Sequence, residues 1–128
     1  MFDEIDLRLK HSEARCAERG ARVVALLQGK WTVQILCAMQ ARPVRLSQLK
    51  RQIPSASKKA LTASLRSLES RRVVVRKDLS SSILHVEYEL SDTMRNPVLE
   101  LLKLLEDWAT KYRVEGHSAA PQEQAKLQ

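Results

Sequence analysis

A chain of 128 residues, 44% hydrophobic and 29% charged, has the size and make-up of one folded domain with its own core. Three glycines and a single phenylalanine favour helices over an all-β architecture. The net charge of +7 is unevenly spread: residues 42–77 hold eleven of the 22 Lys and Arg against one acid, Glu69, the footprint of a polyanion-binding surface.

Along the chain, "EARCAERGARVVALLQ" places Ala17, Ala21, Val24 and Leu27 at helical spacing and predicts a helix over about 13–28, weakened at Gly20 and stopped near Gly29. "KWTVQILCAMQ" then puts Trp31, Ile35, Ala38 and Met39 on one face of a second, largely buried helix that ends by Pro43. In "RLSQLKRQIP", Ser47 is placed to cap a short helix that turns Leu49 and Ile53 inward and stops at Pro54. The tight "PSAS" turn leads into a helix over roughly 57–71, so residues 46–71 carry a helix-turn-helix.

From there the period falls from 3.6 to 2. "RVVVRK" alternates Val73 and Val75 against Arg72, Val74 and Arg76. "ILHVEYEL" alternates Leu84, Val86, Tyr88 and Leu90 against His85, Glu87 and Glu89. With the polar "DLSSS" between them these are two strands of a β-hairpin wing, about 72–90. A last helix, capped by Ser91 or Asp92 and running to about Tyr112, aligns Val98, Leu101, Leu102, Leu105, Trp108 and Tyr112. Leu99 and Leu104 widen that stripe beyond the needs of a small core, which points to burial against a second copy. The expected fold is α+β but mainly α: a single winged helix-turn-helix domain over 1–113, with N- and C-terminal dimerisation helices at 13–28 and 92–112 and a loose polar tail at 114–128.

The helix near 57–71 carries the chemistry. On a 100° helical wheel Leu65 and Leu68 lie within about 40° of Leu61 and form an anchoring stripe. Lys59, Thr62, Ala63, Arg66 and Ser70 occupy the opposite arc, so small residues let the backbone approach a partner while long bases reach past it. Such a helix fits a major groove, where Arg or Lys pairs with guanine and Thr meets a thymine methyl. Read alone, it is equally a solvated amphipathic helix. The wing adds Arg71, Arg72, Arg76 and Lys77, which together with Lys58 are the candidates for backbone phosphates beside the groove. Glu69 sits at the stripe boundary, in position to pair with a neighbouring Arg.

The order of parts resembles the HxlR-type winged-helix regulators of bacteria, relatives of the MarR group. The resemblance spans roughly 16–108 and rests on "GKWTVQIL" at 29–36, "LSQLKRQIP" at 46–54, "SKKALTASLRSLE" at 57–69 and "VEYEL" at 86–90. It implies a homodimeric transcription factor, usually a repressor, whose first and last helices build the dimer. Lys59, Leu61, Thr62, Leu65, Arg66, Leu68 and Glu69 fall on the family's recognition-helix pattern. Gly29, Lys30 and Trp31 fall on its "GKW" signature, read here as a helix break followed by a core Trp. The chain departs from the pattern at Arg72 and Met94, where the family has Gly, and at Leu84 and His85, where it tends to have Pro and Arg.

Several members of that family sense oxidants or electrophiles through an N-terminal cysteine. Cys16 lies near that place, flanked by Arg15 and Arg19, and is the candidate for redox sensing; an inert helix-surface cysteine is the plainer alternative. Cys37 reads as an inert core residue. The two cysteines are 21 residues apart without CxxC or clustered His, which argues against a disulfide framework or a zinc site, and His11 and His117 carry no ligand pattern.

No run approaches the roughly 20 apolar residues of a membrane span, and the opening "MFDEIDLRLK" lacks the basic and apolar regions of a signal peptide. No cofactor, metal or enzymatic activity is expected. The reading is a cytoplasmic, sequence-specific regulator of double-stranded DNA, a homodimer open to a small-molecule or oxidant effector. The alternative is a winged-helix module for protein or RNA without an operator.

Overall fold

The leucines and isoleucines that keep helical time meet in one core. The computed structural model describes residues 4–115, in the order α1 (Glu4–Leu27), α2 (Thr32–Ala38), α3 (Leu46–Gln52), α4 (Lys58–Ser70), β1 (Val74–Asp78), β2 (Val86–Leu90) and α5 (Arg95–Tyr112). Ile35, Leu36 and Met39 of the α2 region pack with Leu49 and Ile53 around α3 and with Leu61, Leu65 and Leu68 of α4. Val73, Val74 and Leu90 close this core from the hairpin, and Val98 and Leu102 from α5. Of the expected tail, Val114 and Glu115 are non-helical, and residues 116–128, His117 among them, lie outside the described residues.

α1 begins at Glu4, well before the expected position 13. Residues 4–12 contain Glu, Leu, Arg and Lys and no Gly or Pro, so helix propensity extends the element where apolar periodicity is thin. Gly20 lies inside the helix without interrupting it, and a side chain there would meet nothing within 4 Å. Only the last turn, with Leu26 and Leu27, packs on the core. The break that follows depends on Gly29: its φ is +111°, and an added Cβ would lie 2.7 Å from Thr32 Oγ1. That hydroxyl is committed to the Gln28 carbonyl at 2.8 Å, which satisfies a buried Thr32. Trp31 is half-buried at the core's edge under the Lys30 ammonium, 5.0 Å from its ring centroid, so the fully buried place falls to Thr32 instead.

Cys37, expected in the core, is exposed. α2 turns Ile35, Leu36 and Met39 inward, and Cys37, about 200° round the helix from Ile35, falls on the outward arc. Its surroundings raise the thiol above its ordinary pKa, through partial burial first and the nearby Glu106 charge second.

Ser47, expected to cap α3, is that helix's second residue. The cap is Arg45, whose backbone N–H donates to Gln48 Oε1 at 2.8 Å, so the first turn is closed by a side chain reaching back. α4 starts on a true cap, with Ser57 Oγ accepting from the Ala60 N–H at 3.0 Å. Lys50 spans the turn between the two helices, its ammonium donating to the carbonyls of Pro54 (3.0 Å) and Ala56 (2.7 Å).

α4 ends in a Schellman turn. The Arg72 N–H bonds the Glu69 carbonyl at 2.9 Å, the Val73 N–H bonds that of Leu68 at 3.0 Å, and Arg72 is left-handed at φ +62°. Val73 and Leu68 are both buried, the apolar contact that accompanies this turn. The turn corrects the expected strand alternation: Val73 is buried by the helix exit, the strand proper starts at Val74, and Val75 faces out at 38% exposure.

β1 and β2 pair antiparallel with Val74 opposite Leu90, Arg76 opposite Tyr88 and Asp78 opposite Val86. The second strand begins at Val86 rather than at Ile83, because residues 79–85 form the tip: the Leu79 N–H bonds the His85 carbonyl at 2.7 Å and leaves Leu84 outside. Ser91 is not a side-chain cap for α5; Met94 precedes that helix, and the Ser91 hydroxyl donates to the Arg72 carbonyl at 2.9 Å.

Candidate nucleic-acid interface

α4 is pinned from behind. Leu61, Leu65 and Leu68 are buried to within 2% of complete, so the helix cannot rotate without losing its share of the core. Its outward arc then follows from the period. Lys58, Lys59, Ala63, Arg66 and Ser70 are exposed and Thr62 is half-exposed. The side chains of Lys58, Lys59 and Arg66 make no hydrogen bond or salt bridge among the described residues, and neither does the Glu69 carboxylate, which does not pair with a neighbouring Arg.

The hairpin has two electrostatically different faces. On one, Lys77 is paired with Glu89, Arg95 approaches Glu89 at 3.9 Å, and His85 Nε2 contacts Glu87 Oε2 at 2.8 Å. The hydrogen bond to Glu89, and then its charge, raise the Lys77 ammonium above the ordinary lysine pKa. The other face buries Val74 and Leu90 in the core and continues outward as Arg76, Tyr88, Val86 and Asp78, because residues two apart on a strand share a face.

The structure therefore sorts the eight candidate residues. Lys59, Thr62 and Arg66 share the outward arc of α4, and Lys58 and Arg76 meet in one cleft at its N-terminal end. Arg71 and Arg72 stand at the other end of α4, about 20 Å away by helical rise. Lys77 lies on the hairpin face opposite Arg76, engaged with Glu89. The charge on Lys50, counted in the basic segment, is spent on the turn. Cys16 is exposed on α1.

Residues that sequence periodicity missed complete the cleft between the start of α3 and the wing. Val44 and Tyr88 exchange backbone hydrogen bonds in both directions at 2.8 Å, forming an isolated bridge that fastens the segment before α3 to β2. Arg45 follows that bridge and donates from a terminal guanidinium nitrogen to the Leu84 carbonyl at 3.3 Å. The sequence signal was a lone β-branched residue after Pro43, too short to register as a strand.

A family model described as HxlR-like helix-turn-helix matches residues 26–117. A helix-turn-helix transcriptional regulator of Halalkalibacterium halodurans is 34% identical over 89 residues, covering 69% of this chain and 78% of the relative. YtcD of Bacillus subtilis, a regulator of the same type, is 36% identical over 105 residues, covering 80% of this chain and 82% of the relative. Among solved structures, the redox regulator HypR in its reduced form superposes with a TM-score of 0.69 at 24% identity, over 74% of this chain and 93% of that one, a likeness of fold. No described helix is long and apolar enough to cross a membrane. With the helix-turn-helix, the wing and the family match in agreement, the chain belongs to the HxlR-like helix-turn-helix family and is a transcriptional regulator of that fold.

Proposed function

We propose that the chain is a homodimeric, sequence-specific binder of double-stranded DNA, acting in the cytoplasm as a repressor. The observation that carries this reading is α4: three fully buried leucines fix its rotation, and the arc thereby exposed holds Lys59, Thr62, Ala63 and Arg66 without protein partners among the described residues. A helix presented in this way enters a major groove, where Arg66 and Lys59 can meet guanine acceptors and Thr62 a thymine methyl. Lys58 and Arg76 reach phosphates beside it. Arg71 and Arg72 extend the same contact from the far end of α4, and Lys77 joins only where its pair with Glu89 opens.

Two further parts rest on separate observations. Exposed apolar side chains on α1 and α5 support pairing with a second copy through those helices. Exposed Cys16 supports a thiol-responsive extension, alongside the likeness of fold to a regulator described in reduced and oxidised forms. Intact-mass spectrometry of peroxide-treated protein tests that extension, and an unmodified Cys16 ends it.

Selection of bound fragments from the source genome tests the main reading. It should enrich one two-fold related sequence with half-sites a helical turn apart, bound about a thousandfold or more tighter than unrelated duplex. Salt-sensitive binding without enrichment would leave the protein or RNA interaction module as the better account.

A further inference from the structure

The cleft between the start of α3 and the wing has a volume of about 340 Å³. Three cations line it, Arg45, Lys58 and Arg76, and its apolar wall is made by Leu84, Val86 and Tyr88, with no acid among the lining residues. Glu87 and Glu89 of the hairpin are on its other face, while Asp78, opposite Val86, shares the face of Arg76, interacts with its charge and accepts a hydrogen bond from the Ser80 N–H at 2.9 Å. Neither the Lys58 nor the Arg76 side chain makes a hydrogen bond or salt bridge among the described residues, and Arg45 spends one of its five N–H donors on the Leu84 carbonyl. Ser47, which does not cap α3, adds a hydroxyl to the lining.

We infer that this cleft seats one sugar–phosphate strand of the DNA duplex, with Arg45, Ser47 and Tyr88 as positioning contacts beyond the recognition helix. The inference rests on the DNA-binding reading above and specifies how the duplex is held. A nucleic-acid backbone is amphipathic at this scale. The phosphate meets Arg45, Lys58 and Arg76, and the deoxyribose lies against Tyr88 and Val86. The position suits the role, since Lys58 at the start of α4 and Arg76 of the wing line the same cleft, beside the groove that α4 would enter. The seat is also rigid before DNA arrives. The Val44–Tyr88 bridge fixes its two sides to each other, and the Arg45 bond to Leu84 holds the tip of the wing in place, so little ordering is left to be done on binding. Phosphate contacts here set register and orientation and carry no base preference themselves.

Salt titration of the full chain against a mixed-sequence duplex of about three helical turns tests the seat. Each phosphate contact contributes about 0.9 to the slope of log affinity against log salt concentration. The Arg45→Gln variant should lower the slope by about one per protomer and weaken every sequence alike, Arg45→Lys should keep the wild-type slope, and Tyr88→Ala, which removes the ring, should weaken binding a few-fold. Thermal melting of the same variants reports whether each one folds. An Arg45→Gln protein that melts like wild type and keeps the wild-type slope overturns the seat. If Arg66→Ala then still loses affinity for a genome-selected fragment, the recognition-helix reading stands while the seat falls. If wild-type protein fails to bind duplex at all, both fall.

Discussion

Arg72 holds a backbone geometry that glycine adopts freely and other residues adopt at a cost of about 1 kcal/mol. It stays there because the Schellman bonds, the buried Val73 and the Ser91 hydroxyl on its carbonyl fix the turn from three sides. Replacing Arg72 with Gly should therefore raise stability, by at most about 1 kcal/mol since glycine also gains freedom in the unfolded chain, read as a higher melting temperature. Lys50 is the opposite case. In sequence it is one more base in a basic segment; in the fold its ammonium satisfies two turn carbonyls. The Lys50→Met protein should lose about 1–2 kcal/mol in denaturant unfolding while keeping its salt slope on DNA. At the wing tip, the Ser80 hydroxyl and then its backbone N–H (2.9 Å) lower the Asp78 pKa below the ordinary aspartate value. A lowered carboxylate stabilises the fold above its unfolded pKa, and that contribution is lost as pH falls through the lowered value. Protection of the Ser80 amide, corrected for intrinsic exchange, should drop in that acid window in wild type and be flat in Asp78→Asn.

Among the elements, α4 was the most legible, because a stripe of leucines at helical spacing both predicts the helix and fixes which arc faces out. Truncating one anchor, Leu65→Ala, should cost about 2–5 kcal/mol in denaturant unfolding, whereas the exposed Arg66→Ala should leave stability within about 0.5 kcal/mol. The neighbouring elements were legible in kind but not in phase. The hairpin alternation slipped at Val73 because a helix exit, not a strand, buries that residue. The cap of α3 moved from Ser47 to the Arg45 backbone because Gln48 could reach back, a choice that propensity does not decide. The cleft was invisible for a different reason: Arg45 and Tyr88 are brought together only by a single bridged residue pair.

At the scale of the molecule, α1 is 24 residues long yet rests on the core only through its last turn. A helix of that length gains stability from packing, and here most of its length does not pack on the core among the described residues. Ile5 is 65% exposed and Val24 60%, and on α5 Leu104, Trp108 and Tyr112 are more than half exposed, with the Trp108 and Tyr112 rings 4.8 Å apart. The breadth of the α5 stripe was readable in sequence, whereas the N-terminal half of α1 was not, since Ile5, Leu7 and Leu9 alternate with period two instead of keeping helical time. Light scattering should return the mass of two chains, and the paired change Leu104→Asp with Trp108→Asp should shift it to one chain and weaken DNA binding with it.

The claim on which the rest depends is that the outward arc of α4 reads bases. A gel-shift titration of wild type and Arg66→Ala, on a genome-selected fragment and on a scrambled version of it, tests this most directly. The account predicts a loss of about 1–3 kcal/mol on the selected fragment, a much smaller loss on the scrambled one, and so a narrower ratio between them. Unchanged affinity and an unchanged ratio would contradict it.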